Sequence, residues 1–104
     1  MGYYTQYEVE VGKDLEKILE YINGEENANG FLEAVFNGWA DELKWYGHEE
    51  DMRELSRLFP DVLITLKGEG EESGDVWRKY FKNGKMQSCY AKITFDDYDE
   101  KELR

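Results

Sequence analysis

Apolar and polar residues alternate over residues 3–11 (YYTQYEVEV), near the start of the chain. A period of two is typical of a β-strand with one face towards the interior and one towards water. The side chains expected on the inner face of this strand are Thr5, Tyr7, Val9 and Val11.

After this strand, the spacing of the apolar residues changes from a period of two to that of a helix. Four apolar residues recur at helical spacing: Leu15, Ile18, Leu19 and Ile22. They predict an amphipathic helix over residues 15–22, with Asp14 as its N-cap and Asn23-Gly24 as its end.

The pattern is weakest over residues 24–40. GEENANG predicts a loop, whereas FLEAVFNGW is compatible with a helical turn or a short strand. Residues 41–46 (DELKWY) then predict a strand with Leu43 and Trp45 facing inwards.

A second helix is predicted after His48, the only histidine in the chain. Its apolar stripe consists of Met52, Leu55, Leu58 and Phe59, and Pro60 ends it. Three acidic residues fill its first turn, where carboxylates favour the positive end of the helix dipole: Glu49, Glu50 and Asp51. Because metal sites usually need several His or Cys ligands, we interpret His48 as structural and predict neither a metal nor a cofactor.

The rest of the chain predicts three strands. Residues 61–68 place Val62, Ile64 and Leu66 on one face, and the acidic, glycine-rich loop 68–75 connects them to the next strand. Asn83-Gly84 then predicts a type I′ turn between two strand-like runs within residues 76–95. The turn fixes the pairs Lys82–Lys85, Phe81–Met86, Tyr80–Gln87 and Trp77–Tyr90.

The two faces of this hairpin differ in composition. One face carries Val76, Arg78, Tyr80, Cys89, Ala91, Ile93 and Phe95, and its small and branched residues suggest packing under helices. The other carries Trp77, Lys79, Phe81, Met86, Ser88, Tyr90 and Lys92, and we expect it to be an exposed aromatic and basic surface.

The order of elements predicts an α+β fold. We expect two helices on one face of a mostly antiparallel sheet of four to five strands, in a ferredoxin-like arrangement. A single domain is expected over residues 1–95, followed by an acidic tail over residues 96–104.

The composition of the chain argues against several classes of function. With 24 acidic and 13 basic residues, the 104-residue chain has a net charge of −11, which argues against nucleic-acid and anionic-membrane binding. No stretch is apolar enough to span a membrane, and no signal peptide is evident. The single cysteine, Cys89, favours a reducing bacterial cytosol.

Residues 44–87 resemble a recurrent block in small uncharacterised proteins of phages, prophages and mobile elements. The opening MGYYTQYEVEV is similar to the N-termini of those proteins. The resemblance implies a ferredoxin-like domain and a mobile-element context, in which small acidic proteins often bind host machinery. It implies no catalytic residue.

These observations favour a non-enzymatic protein-interaction module. It could act as an anti-defence, anti-CRISPR-like inhibitor that binds a basic host nucleic-acid-binding effector by imitating DNA. The acidic candidates for partner binding are Glu49, Glu50, Asp51, Glu69, Glu71, Glu72 and Asp75. The aromatic candidates are Trp77, Phe81, Met86 and Tyr90.

Two alternatives stay open. The aromatic face could stack the bases of a single-stranded nucleic acid, with help from Lys79, Lys82, Lys85 and Lys92. The same face could instead be covered by residues 24–40 or by a second copy of the chain, which would make the protein a structural homo-oligomer.

Overall fold

The computed structural model describes residues 3–39 and 42–104. Ala40 and Asp41, where the strand 41–46 was predicted to begin, lie outside the described residues. The described strands are β1 (Thr5–Val11), β2 (Glu42–Leu43), β3 (Ile64–Gly70), β4 (Val76–Lys82) and β5 (Lys85–Tyr90). The α-helices are α1 (Leu15–Ile22), α2 (Gly30–Phe36) and α3 (His48–Leu58), and a short 3₁₀-helix spans Glu100–Glu102.

The five strands form one antiparallel sheet in the order β2-β1-β3-β4-β5. Because β2 and β3 both run antiparallel to β1, they are parallel to each other, and α3 connects them across β1. The predicted α+β class is therefore confirmed. The split strand–helix–strand unit is compatible with a ferredoxin-like arrangement, which stays a prediction for the whole domain.

The helix count differs from the prediction, because the least regular segment contains a third helix, α2. The side chain of Asn29 accepts hydrogen bonds from the backbone N–H groups of Phe31 and Leu32 at its N-terminus. This cap satisfies two of the N–H groups that an isolated turn leaves unpaired. The cap stabilises a helix that is too short to be indicated by periodicity alone.

The predicted helix over residues 15–22 is confirmed, but the predicted cap is wrong. Asp14 has a φ of 58° and its side chain makes no capping hydrogen bond. A capping side chain needs an extended backbone at the N-cap, and the left-handed conformation of Asp14 does not provide one.

One hydrophobic core lies between the helices and the inner face of the sheet. All three α-helices contribute, together with β3, β4 and the segments next to α3. The buried apolar residues of this core are Ile18, Ile22, Leu32, Val35, Trp45, Met52, Leu55, Val62, Ile64, Leu66, Trp77 and Phe81. The predicted inward positions of Trp45 and of the alternating residues of β3 are thus confirmed.

The β4–β5 hairpin and its register are confirmed. Asn83 and Gly84 have φ values of 49° and 77°, as a type I′ turn requires. All four predicted pairs form: Lys82–Lys85, Phe81–Met86, Tyr80–Gln87 and Trp77–Tyr90. The second strand ends at Tyr90, so its predicted continuation to Phe95 is not formed, and residues 91–104 are exposed.

The predicted orientation of this hairpin is wrong. Trp77 and Phe81 are 6% and 0% exposed and belong to the core, whereas Val76 and Arg78 face water. Met86 is half-buried against the core, and Tyr90 alone of the four aromatic candidates is largely exposed. The inner face takes the bulkiest side chains because they fill the space beneath α3. Gly68 pairs with Trp77 and leaves room for its indole.

Candidate functional site

A buried lysine lies where α3 meets the sheet. Lys79, on the inner face of β4, is 4% exposed. Its ammonium group is 2.7 Å from Oε2 of Glu49 and 2.7 Å from Nε2 of His48, and 4.3 Å from the centre of the Trp77 ring. These contacts offset the free-energy cost of removing a charge from water. Lys79 therefore fixes the first turn of α3 against β4, and it is not available to a nucleic acid, contrary to the expectation above.

The hydrogen bonds of His48 define its tautomer. Its Nδ1 lies 2.9 Å from the backbone oxygen of Trp45, which can only accept a hydrogen bond. The proton is therefore on Nδ1, and Nε2 accepts a hydrogen bond from the Lys79 ammonium group. Burial of the imidazole lowers the pKa of His48, and the positive charge of Lys79 lowers it further.

His48 connects α3 with β4 and with the segment that precedes α3. Its ring stacks on Trp77 with centres 5.1 Å apart and planes inclined by 15°. Both of its nitrogens are engaged within the protein. Within residues 3–39 and 42–104, no group of three His, Cys, Asp or Glu side chains could hold a metal ion. The predicted helix start at this residue is confirmed.

Trp45 connects His48 to the rest of the core. Its backbone oxygen accepts a second hydrogen bond from the hydroxyl of Tyr7, at 3.1 Å. Its indole Nε1 donates to Oδ2 of Asp51, at 2.7 Å. Asp51 is thus turned inwards, and its carboxylate has an internal partner. The charge on Lys79 likewise lowers the pKa of Glu49 through their hydrogen bond.

The acidic loop between β3 and β4 is held by two tyrosines from the start of the chain. The hydroxyl of Tyr3 donates to Oδ2 of Asp75, at 2.6 Å, and accepts from the N–H of Glu72, at 3.0 Å. The N–H of Tyr4 donates to Oε2 of Glu71, at 2.5 Å. The hydrogen bond to Asp75 raises the pKa of the Tyr3 hydroxyl. The loop is therefore bound at three points, which restricts the positions of its backbone and of the carboxylates of Glu71 and Asp75.

Both acidic stretches lie towards the same end of the domain. Glu49 contacts Lys79 of β4. Along the extended chain, Lys79 lies about 13 Å after Asp75. Four of the seven acidic candidates are exposed with no ion-pair partner among the described residues: Glu50, Glu69, Glu71 and Glu72. Glu49 is bound to Lys79, and Asp51 and Asp75 are half-buried. We call this set of seven residues the acidic end.

Sequence reasoning missed the residues that hold the acidic end in place. A signal for Lys79 existed, since it alternates with Trp77 and Phe81 on one strand face. No local signal could have revealed the role of Tyr3, because its partners lie 69 and 72 residues further along the chain.

None of the described helices is long and apolar enough to cross a membrane. No protein-family model, curated protein or solved structure matches the chain.

Proposed function

We propose that this chain is an acidic protein-interaction module that docks its acidic end on the nucleic-acid-binding surface of a basic protein. The observation that carries the proposal is the loop over residues 69–75, in which Tyr3 and Tyr4 bind the carboxylates of Asp75 and Glu71 and the N–H of Glu72. The expected setting is the bacterial cytosol. The specific form of the proposal is an anti-defence inhibitor of phage or mobile-element origin.

Pre-organised carboxylates suit this task for two physical reasons. A partner that binds them orders fewer side chains and loop residues, so less free energy is lost on association. A net charge of −11 also attracts a basic surface over long range and accelerates encounter. A surface built to bind phosphates would recognise carboxylates at similar spacing by the same charge-assisted hydrogen bonds.

Of the four lysines named as candidates for nucleic-acid contact, Lys79 is buried whereas Lys82, Lys85 and Lys92 are exposed, and the net charge of −11 opposes such a contact. Lys79 is buried against Glu49 and His48, and Lys67 is paired with Glu10 at 2.5 Å. Of the aromatic residues that could have stacked bases, Trp77 and Phe81 lie in the core, whereas Tyr90 is exposed. We assign no catalytic role to His48, because both of its ring nitrogens have internal partners.

A second candidate function is self-association through the outer face of the sheet. Exposed apolar side chains on and beyond this face favour it: Val76, Ile93 and Phe95. Two copies would each bring a net charge of −11, and the resulting repulsion opposes the contact. We therefore expect a monomer, and light scattering coupled to size-exclusion chromatography would measure its mass.

The test of the proposed function is capture of a partner by variants with matched charge. One variant carries Glu69→Lys, Glu71→Lys and Glu72→Lys, which reverses the exposed part of the acidic end. The control carries Glu16→Lys, Glu20→Lys and Glu100→Lys, which changes net charge equally at exposed positions elsewhere. Circular dichroism would verify that both variants fold.

We expect the unmodified chain to retain a basic nucleic-acid-binding protein from bacterial lysate at low salt and to lose it at high salt. The control variant should retain the same protein, and the acidic-end variant should not. Equal retention by the two variants, or retention of no nucleic-acid-binding protein, would contradict the proposal.

A further inference from the structure

A groove of about 690 Å³ runs between the segment that leads into α2 and one side of α3. Apolar side chains line part of it: Phe31, Leu55 and Leu58. The acidic residues along it are Glu26, Asp51 and Glu54, and its described lining includes no lysine or arginine. The groove is therefore both apolar and negatively charged, and it shares Asp51 with the acidic end.

Two large apolar side chains in this groove remain open to water. Leu58 is 54% exposed and Phe31 is 40% exposed. The Phe31 ring is stacked on Trp45, with ring centres 5.8 Å apart and planes inclined by 12°. This stacking holds Phe31 in place. Exposed apolar groups in a concave site are a common feature of protein-binding grooves.

The negative charge of the groove is not neutralised within the protein. Among residues 3–39 and 42–104, no lysine or arginine nitrogen lies within 4.0 Å of the carboxylates of Glu26, Asp51 or Glu54. Asp51 is positioned by its hydrogen bond from Trp45. Fixed carboxylates beside low-dielectric walls concentrate a negative potential, so an occupant with positive charge is favoured.

We propose that this groove binds a basic amphipathic helix of a partner protein. Apolar side chains of that helix would contact Phe31 and Leu58, and its lysines or arginines would face Glu26 and Glu54. Leu55 is 2% exposed and belongs to the core, so Phe31 and Leu58 are the two large apolar side chains that the groove offers to a partner. The inference deepens the proposed function and rests on it for the positive charge of the partner.

Charge rules out the other occupants available to the chain. The segment after β5 is exposed, but residues 96–104 contain five acidic and two basic residues and would be repelled by the groove. A second copy of the chain would bring a net charge of −11. A basic segment of another protein is the occupant that fits both the apolar and the charged side chains.

The test uses a synthetic amphipathic peptide of about 14 residues with leucines along one helical face and lysines elsewhere. The control peptide has the same composition in an order that scatters the leucines around the helix. Titration of each peptide into isotope-labelled protein, followed by NMR, would map the binding surface and give a dissociation constant. We expect the amphipathic peptide to shift the signals of Phe31, Leu55 and Leu58 and to bind more tightly than its control.

Matched variants separate the apolar contact from charge alone. Leu58→Gln should weaken binding of the amphipathic peptide by about tenfold, the usual effect of losing an apolar anchor. Leu63→Gln, at an exposed leucine outside the groove, should not change it. Both side chains are about half exposed, so both variants should fold.

Equal affinities for the two peptides, or equal effects of the two leucine variants, would overturn the groove proposal. Shifts confined to residues 69–75 would do the same. The triple reversal at Glu69, Glu71 and Glu72 should leave peptide shifts in the groove. The groove proposal and the proposed docking of the acidic end can thus fail separately.

Discussion

The ammonium group of Lys79 lies 2.7 Å from Nε2 of His48, and it also binds the carboxylate of the next residue, Glu49. One buried side chain of the sheet thus holds the first two residues of α3. The contact fixes where the helix begins. It thereby places the carboxylate of Glu49 against β4.

The first prediction concerns the energetic coupling of Lys79 and His48. Lys79→Met should lower the free energy of unfolding by about 1–3 kcal/mol, because it leaves Nε2 of a half-buried His48 without a donor. His48→Phe should also destabilise the protein, since Lys79 then loses a partner. The double variant should lower the free energy of unfolding by at least about 1 kcal/mol less than the sum of the two single-variant losses, because neither group is then left unpaired.

Urea unfolding of the four proteins measures this coupling. Lys82→Met, at an exposed lysine on the same strand, is the control and should change stability by less than about 0.5 kcal/mol. Additive effects of the Lys79 and His48 substitutions would show that the hydrogen bond between them contributes nothing.

The second prediction is a loss of stability as the pH falls. Burial, and then the Lys79 charge, hold the pKa of His48 below its ordinary value. Below about pH 6.5, the unfolded chain binds a proton at His48 that the folded chain does not. Protonation therefore favours the unfolded state, and the contribution of His48 is lost between its ordinary pKa and its lower pKa in the folded protein.

Unfolding free energies measured between about pH 7.5 and about pH 5.5 would test this sign. The unmodified protein should lose more stability over this range than the His48→Phe variant. Since His48 is the only histidine, its NMR titration can also be assigned without ambiguity. A pKa above the ordinary histidine value would contradict the account.

The third prediction concerns the contact between Gly68 and Trp77. A Cβ atom added at Gly68 would overlap the Trp77 indole. Gly68→Ala should therefore lower the free energy of unfolding by about 1–3 kcal/mol, the usual cost of overpacking a core. It should also change the near-ultraviolet circular dichroism of the tryptophans.

Gly30→Ala is the matched control. Gly30 begins α2, and an added Cβ would meet nothing within 4 Å. Alanine there should leave stability unchanged or raise it slightly, because alanine favours helices. Equal effects of the two alanine substitutions would refute the close contact between Gly68 and Trp77.

The fourth prediction tests the tyrosine that holds the acidic loop. Tyr3→Phe removes the hydroxyl that donates to Asp75 and accepts from the N–H of Glu72. We expect faster hydrogen exchange at the Glu72 amide and a lower free energy of unfolding. Tyr98→Phe, at an exposed tyrosine of the tail, should change neither quantity. Unchanged exchange at Glu72 in Tyr3→Phe would mean that the loop is held by other contacts.

The sequence predicts the elements whose signals are local. The apolar residues at helical spacing over residues 15–22 predict the bounds of α1, and Asn83-Gly84 predicts the turn and register of the last hairpin. These predictions succeed because side-chain period and turn chemistry act over a few residues. The short helix α2 was ambiguous because seven residues are too few to establish a period.

The orientation of the hairpin was mispredicted for a non-local reason. The small and branched side chains on one face of the hairpin suggest packing under helices, and this assignment places Lys79 on the exposed face. Its partners, Glu49 and His48, lie 30 and 31 residues earlier in the chain. Their contacts with Lys79 form once α3 packs on the sheet. The composition of the candidate acidic end was predictable, whereas its attachment through Tyr3 was not.

The most direct test of the central claim is competition between this protein and DNA for the captured partner. A fluorescently labelled duplex would be bound to that partner, and its anisotropy followed as the chain is added. The unmodified chain should displace the duplex, and the triple reversal at Glu69, Glu71 and Glu72 should not. A ternary complex, in which the partner holds both the duplex and this chain, would contradict it.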